Sequence, residues 1–279
     1  MRQKILILGA KGMLGHELAE VFSEQNPILW DREDLDIVGK KDVENKLLEV
    51  KPTLIINAAA YTNVDGAETN GDLAVKINGY AVGHLAEVAK NLGAILVHYS
   101  TDYVFDGKKK DGYMESDQPN PINVYGQSKF LGEKLLLEKG DMYYLIRSSW
   151  IYGKNGKNFV DTILNKALTE EFLSVVNDQF GKPTYAKDLA YATKQLIDQM
   201  KPCGIYHLVN ETDTGGVSWL DFADLAISIK GLDAEVRPCA TKDFPSPTKR
   251  PKYGVLINTK FQRLRNWQES LTDYLENKN

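Results

Sequence analysis

The chain has 279 residues, with 34 Lys plus Arg against 38 Asp plus Glu and a formal net charge of −4. At 43% hydrophobic and 26% charged residues, its composition is that of a folded globular protein and excludes wholesale disorder. The acidic balance speaks against nucleic acid as a partner, because binding a phosphate backbone relies on clustered positive charge. Two cysteines, Cys203 and Cys239, are too few for a disulfide framework and predict a reducing, cytoplasmic setting. Met1-Arg2-Gln3-Lys4 leads straight into a short apolar run, which predicts neither a signal peptide nor a membrane span. At roughly 150 residues per domain, the length allows one large domain or two modest ones.

In chain order, Ile5-Leu6-Ile7-Leu8 reads as a buried strand, and Leu14, Leu18, Val21 and Phe22 then recur at helical spacing. Ile28-Leu29-Trp30 predicts a second strand, followed by a charged helix around Val43, Leu47 and Leu48 that ends near Pro52. Leu54-Ile55-Ile56 predicts a third strand, and a helix over 75–92 is closed by Gly93. A fourth strand over 94–99, a helix over 124–137 and a fifth strand over 143–146 follow. Strands that are apolar throughout and separated by helices predict an α/β fold, a doubly wound parallel sheet covered on both faces. Ligands are then expected at the carboxyl ends of the strands. The second half is less regular, with helices at 159–168, 187–200, 220–229 and 267–275 and a stretch holding Pro238, Pro245, Pro247 and Pro251. The expected division is a dinucleotide-binding part over 1–150 and a smaller, irregular part over 151–279. The boundary is soft and leaves room for segments of the second part to return to the first.

Gly9-Ala10-Lys11-Gly12-Met13-Leu14-Gly15 follows the first strand and opens the first helix. At these places glycine permits the tight turn, the approach of backbone to a pyrophosphate, and close packing of helix on sheet. The helix amino terminus adds unbonded N–H groups and a partial positive charge. A Gly-rich turn alone is weak evidence; its position after the first strand of an alternating chain makes a dinucleotide the better reading. Asp31, at the end of the second strand, suits the hydroxyls of an adenosine ribose. Lys11 and Arg32 suit a 2′-phosphate, although a solvated surface charge is an equal reading for Arg32. NADPH and NADH are therefore both expected to serve. Asp36-Ile37 can cap the adenine edge or simply open a helix, and the small residues of Asn57-Ala58-Ala59-Ala60 allow close approach of either a cofactor or a helix.

Tyr125 and Lys129, four residues apart on a helix, share a face. A cation about 4 Å from a phenolate contributes roughly 4 kcal/mol at an effective dielectric of about 20. That is about three pKa units, enough to bring a tyrosine toward neutrality as general acid or base. Ser100-Thr101-Asp102 follows the fourth strand, where a hydroxyl can face the same cleft; a Ser/Thr turn is the local alternative.

These motifs, in this order, resemble the extended short-chain dehydrogenase/reductase superfamily, with its Rossmann-type sheet. Longer strings resemble the dTDP-4-dehydrorhamnose reductase family within it. They are Asn57-Ala58-Ala59-Ala60-Tyr61-Thr62 with Val64-Asp65, Tyr99 through Gly107, Asn123 through Lys129, and Arg147-Ser148-Ser149-Trp150-Ile151-Tyr152. Asn177 through Thr184 and Arg250-Pro251 extend the likeness into the second half. The resemblance implies that a hydride from NADPH or NADH reduces the 4-keto group of dTDP-4-dehydro-L-rhamnose. It implies Tyr125 as proton donor, Lys129 as the residue that depresses its pKa and holds the nicotinamide ribose, and Thr101 as the partner of the C4 oxygen. It further implies cofactor contacts at Gly12, Met13, Leu14, Asp31, Asp36, Ile37, Ala60, Tyr61, Thr62 and Tyr99. The sugar is implied near Thr62, Val64, Asp102, Tyr103 and Trp150, with Gln179 toward the nucleotide. Gly66 stands where relatives often carry a longer residue and reads as a helix-start detail. No catalytic metal is expected, the four histidines read as structural, and a homodimer is possible in this family. Competing readings are a regulatory NADP-binding subunit similar to the β subunit of methionine adenosyltransferase, and a reductase or epimerase of another nucleotide sugar.

Overall fold

The structure, a computed structural model, describes residues 3–213, 215–244 and 246–277. Met1, Arg2 and Pro245, on which the sequence reading touched, lie outside the described residues. Five strands of the first half form as the apolar runs predict: β1 (Ile5–Leu8), β2 (Ile28–Trp30), β3 (Leu54–Asn57), β4 (Ile95–Thr101) and β5 (Tyr143–Ser148). With Gly204–His207 they make a six-stranded parallel sheet, in the order Gly204–His207, β5, β4, β3, β1, β2. The chain moves outward from β1 to β2 and then crosses back to β3, so the order reverses at β1/β3, where a doubly wound sheet opens its ligand crevice.

Helices cover both faces. They are α1 (Met13–Val21), α2 (Lys40–Val50), α3 (Val64–Thr69), α4 (Gly71–Val75), α5 (Ala81–Leu92) and α6 (Val124–Lys139). From the second half come α7 (Phe159–Ala167), α8 (Ala186–Asp198), α9 (Trp219–Ile229) and α10 (Trp267–Glu276). One face of the sheet buries Leu18 of α1 and Phe22 just after it with Leu189 and Leu196 of α8; the other buries Val43, Leu47, Leu85 and Leu136 of α2, α5 and α6. Thus α8 and the strand Gly204–His207, both beyond residue 150, complete the sheet layer. A separate core of Tyr152, Tyr185, Phe222, Trp267 and Tyr274 holds the second half together. No helix among the described residues is long and apolar enough to cross a membrane.

Two elements differ from the periodicity. Instead of one helix over 75–92, α4 is joined to α5 by a π turn, Lys76–Tyr80. The extra residue brings Asn78, 1% exposed, to the backbone of Tyr61 and the Ser128 hydroxyl. The fourth strand also runs two residues beyond 99 to include Ser100 and Thr101, because Ser100 and Thr101 stay in register with Arg147 and Ser148.

Candidate active site

The glycine loop is a cradle with no room for side chains. Gly9 has φ +75°, and a Cβ there would lie 2.7 Å from the Ala59 nitrogen. A Cβ on Gly15 would lie 2.0 Å from the Gly9 carbonyl oxygen, so α1 meets the loop backbone to backbone. Gly12 caps α1 without a side-chain hydrogen bond, which leaves the helix end open to an anion. These features fit a dinucleotide. Asp31 braces the loop: its carboxylate accepts the backbone N–H of Lys11 at 3.0 Å and of Arg32 at 2.8 Å. The Lys11 ammonium pairs with Glu33 at 3.1 Å, and Arg32 approaches Asp36 at 4.0 Å, all with well-exposed side chains. Neither cation is committed to a buried partner. Ile37 is buried and Asp36 exposed, its carboxylate accepting the Val38 N–H. Met13 and Leu14 are half-buried, with Met13 packed against the glycines at 153 and 156. Ala60 and Tyr61 follow β3, and Asn78 clamps Tyr61 by accepting its N–H at 2.9 Å and donating to its carbonyl at 3.0 Å. Thr62 is exposed.

The carboxyl end of β4 brings together what the sequence separates by two dozen residues. Asn123 caps α6 by accepting the Gly126 N–H at 2.7 Å. Gly126 then lies so close to the Tyr103 carbonyl that a Cβ would be 2.2 Å away. This contact sets Tyr125 beside the turn after β4. Its ring meets that of Tyr103 edge-on at 5.6 Å. The Thr101 hydroxyl donates to the Asp102 carboxyl at 3.1 Å and accepts the Tyr103 backbone N–H at 3.2 Å. Lys129 is 3% exposed and donates to the Tyr99 carbonyl at 2.6 Å. Tyr99 offers the site that carbonyl only, because its side chain crosses the sheet to donate to Thr193 of α8.

The electrostatics correct one expectation. Burial pushes the Tyr125 phenol above its ordinary value, Asp102 pushes it further, and only the Thr101 hydroxyl opposes them. Lys129 does not depress it here: its ammonium is aimed at a backbone carbonyl, and burial brings Lys129 itself down to about 8. Burial likewise raises Asp102 to about 7, against hydrogen bonds to Thr101 and the backbone.

Two of the residues expected on the substrate side, Trp150 and Gln179, meet at Trp219. Trp150 sits at φ +48°, a left-handed conformation that a bulky residue adopts only when its surroundings impose it. Its ring stacks on Trp219 at 3.4 Å and 7°, and fills the place a Cβ on Gly181 would need. The Trp219 indole donates to Gln179, which donates in turn to Thr241. A cavity of about 520 Å³ opens here, with Phe159, Gln179, Trp219, Thr241, Ser246 and Arg250 among its walls. Arg250 links this cavity to the start of α3, since it pairs with Asp65 at 2.8 Å. Against the cost of burial, hydrogen bonds from Thr248, Arg250 and Ser246 hold Asp65 below its ordinary pKa. The Thr248 hydroxyl donates to the Val64 carbonyl, so the 246–250 segment straps the start of α3. There Gly66 donates its N–H to the Asn63 cap, and a Cβ would lie 2.4 Å from that side chain, as a helix-start glycine requires.

Asn78 and Trp219 are the site residues to which no local pattern assigned a role, whereas Arg250 lies in a string that the resemblance had pointed to. Neither Asn78 nor Trp219 carried a usable local signal. Of the histidines, His98 meets Asn57 at 3.2 Å, and His207 lies between Arg147 and the Ile257 carbonyl. Among the described residues no group of three His, Cys, Asp or Glu is placed to hold a metal ion.

The family described as RmlD substrate binding domain matches residues 3–279. The spore coat polysaccharide biosynthesis protein SpsK of Bacillus subtilis is 38% identical, over 98% of this chain and 97% of its own. A dTDP-4-dehydrorhamnose reductase of Burkholderia thailandensis is 39% identical, over 91% of this chain and 90% of its own. The crystal structure of dTDP-4-dehydrorhamnose reductase from Bacillus anthracis in complex with NADP superposes with a TM-score of 0.95 at 37% identity, covering 99% of each chain. A glycine cradle at the sheet's switch point, a Thr-Tyr-Lys set beside it and relatives matched along nearly their whole length lead to one conclusion: the chain belongs to the dTDP-4-dehydrorhamnose reductase family.

Proposed function

We propose that the protein catalyses the NAD(P)H-dependent reduction of the 4-keto group of dTDP-4-dehydro-L-rhamnose to dTDP-L-rhamnose, the last step of dTDP-rhamnose synthesis. The observation that carries this reading is the convergence of Thr101, Tyr125 and Lys129 at the end of β4, beside the glycine cradle. Gly9, Lys11, Gly12, Met13, Leu14 and Gly15 hold the pyrophosphate side of the cofactor. Asp31, Arg32, Asp36 and Ile37 hold its adenosine, and Ala60, Tyr61, Thr62, Tyr99, Tyr125 and Lys129 its nicotinamide side. Bound there, the reduced nicotinamide supplies the hydride. Thr101 donates to the ketone oxygen and Tyr125 gives that oxygen its proton. Lys129, pinned to the Tyr99 carbonyl, holds the nicotinamide ribose beside the phenol. Thr62, Val64, Asp102, Tyr103 and Trp150 border the sugar, with Gln179 at the nucleotide.

Residues 1–150 form the cofactor part and 151–279 the nucleotide-sugar part in this reading, with 186–207 returned to the first. Support comes from α8 and the strand Gly204–His207, which cover and extend the sheet. The reading also carries a cytoplasmic location and a homodimer. Two unpaired cysteines support the former, and sedimentation analysis checks the latter.

The assay mixes the protein with NADPH or NADH and dTDP-4-dehydro-L-rhamnose and follows nicotinamide absorbance and sugar product. One reduced cofactor consumed per dTDP-L-rhamnose formed is the expected result. A binding-only protein consumes none, and an epimerase changes the sugar while returning the cofactor unchanged.

A further inference from the structure

We infer that Asp65 is a positioning residue for the diphosphate of the nucleotide sugar: it fixes the Arg250 guanidinium where the sugar site meets the cavity. The inference rests on the reductase reading and gives a role to two residues, from Val64-Asp65 and Arg250-Pro251, that the mechanism leaves unused. A nucleotide sugar carries its diphosphate between the sugar and the nucleoside. In that reading Val64, Thr101 and Tyr103 border the sugar and Gln179 meets the nucleotide, so the diphosphate has to cross from the start of α3 to the cavity. Arg250 stands on this path, because it lines the cavity and its Nη2 donates to Asp65 Oδ1 at 2.8 Å. Lys166, the other cation among the described residues of that wall, sits in the last turn of α7 and has no such tie to the sugar side.

The guanidinium is held from several directions. Ser246 Oγ accepts from Arg250 Nη1 and donates to the same Asp65 oxygen at 2.9 Å. Thr248 donates its N–H to Ser246 at 3.2 Å and its hydroxyl to the Val64 carbonyl at 3.3 Å. Just before Arg250, the Lys249 carbonyl accepts at 2.9 Å from Asn123, the residue that caps α6. Just after it, the Lys252 carbonyl accepts the Phe180 N–H at 2.8 Å. The backbone is thus fastened on both sides of Arg250, and Asp65 fastens the side chain.

Two of the five guanidinium N–H donors serve Asp65 and Ser246, which leaves part of the planar fork for phosphate oxygens. Arg250 and Asp65 keep 24% and 45% of their side-chain surface exposed. A pair this exposed adds little to folding, whereas an arginine whose rotamer is already chosen loses less entropy when a ligand arrives. Asp65 touches no phosphate in this arrangement and acts through Arg250.

The experiment measures dTDP binding by calorimetry in the wild-type protein, Asp65→Ala, Arg250→Gln and the double variant. Arg250→Gln should weaken dTDP about 10-fold or more, the scale of a charged hydrogen bond. Asp65→Ala should weaken it about 2- to 10-fold, the cost of one unfixed side chain. Added to Arg250→Gln, it should cost less than about 2-fold further, because its effect passes through the guanidinium. In turnover, the KM for the nucleotide sugar should rise with these losses while kcat changes less than about 3-fold. NADPH affinity should stay at its wild-type value. Independent, multiplicative losses in the double variant would overturn the inference, as would a wild-type protein that does not bind dTDP. So would unchanged or tighter binding in Asp65→Ala, the tighter case making Asp65 a competitor of the diphosphate. Where a variant fails to fold, a crystal structure of the wild-type protein with dTDP decides. Arg250 on the phosphates and still paired with Asp65 is expected, and phosphates placed elsewhere overturn the inference. Uncoupled variants of an active reductase defeat this inference alone. Coupled variants of a protein that consumes no cofactor with dTDP-4-dehydro-L-rhamnose keep the diphosphate site and overturn the reductase reading.

Discussion

The two walls of the cleft are built from different materials. The cofactor wall is backbone: a glycine loop, an uncapped helix end and a carboxylate that holds the loop by its N–H groups. The wall proposed for the substrate is side chain: a strained Trp150 stacked on Trp219, an amide bridge through Gln179 and a guanidinium shared by Asp65 and Ser246. Backbone geometry suits a ligand portion common to many enzymes, whereas side chains suit the portion that must be told apart from its isomers. Thr101 and Tyr125 stand at the junction, at the end of β4 and the start of α6, where Gly126 lets the helix approach the Tyr103 carbonyl.

The comparison can be broken at the junction first. Tyr125→Phe removes the proton donor and neither wall. Turnover should fall by at least about 10²-fold, with cofactor affinity by fluorescence titration nearly unchanged; undiminished turnover would reject Tyr125 as the donor. On the cofactor wall, Gly15→Ala places a carbon 2.0 Å from the Gly9 oxygen, so the loop must move. The expected result is a loss of about 1–3 kcal/mol in unfolding free energy together with weakened binding of both nicotinamides. If only one of the two cofactors weakens, the loop discriminates between them and is not a common cradle.

Asp31→Ala separates adenosine recognition from the cradle. NADH binding should weaken by about 10-fold, the scale of a charged hydrogen bond, and NADPH binding by less. Equal losses would confine Asp31 to bracing Lys11 and Arg32. On the substrate wall, Trp219→Ala removes the partner of Trp150. The KM for the nucleotide sugar should rise about 2- to 10-fold, the worth of a stacked aromatic pair, with cofactor affinity untouched. A shift in cofactor affinity instead would show that the walls are mechanically coupled.

The smallest effect belongs to the seam between the halves. Burial, with Arg147 beside it, lowers His207 to about 4, while Glu115 opposes. Between that value and the ordinary 6.5 the unfolded chain binds the extra proton, so stability is full above 6.5 and declines as pH falls toward 4. Glu115, held down by hydrogen bonds from Thr259 against its burial, loses its own contribution at still lower pH, with the same sign. His207→Gln should flatten the decline between pH 6.5 and 4 in denaturant titrations. An unchanged slope would show that His207 does not carry it.

Legibility in the sequence follows the same division. The central strands of the first half announce themselves because a strand buried on both faces must be apolar throughout, whereas the edge strand β2 leaves Leu29 exposed. The glycine loop is readable because only glycine tolerates the approach at positions 9 and 15. Tyr125 and Lys129 share a helix face at fixed spacing, but the partners that decide their protonation do not come with the motif. Local spacing predicted a phenol made acidic by Lys129, whereas the fold buries the phenol, sets Asp102 near it and turns the ammonium to the Tyr99 carbonyl. The π turn at Asn78 was equally hidden, because its benefit is a contact 50 residues away with Ser128.

By itself, then, the sequence determined the alternating α/β order, the switch-point loop and the identity of the reacting groups. These depend on local backbone requirements and on periodicities that any short window carries. The tertiary structure alone decided that a strand from beyond residue 200 completes the sheet, that two tryptophans 69 residues apart stack beside a cavity that one of them lines, and which of the reacting groups are taken out of water. Contacts between distant segments and the loss of water around a charge arise only when the whole chain has closed around them.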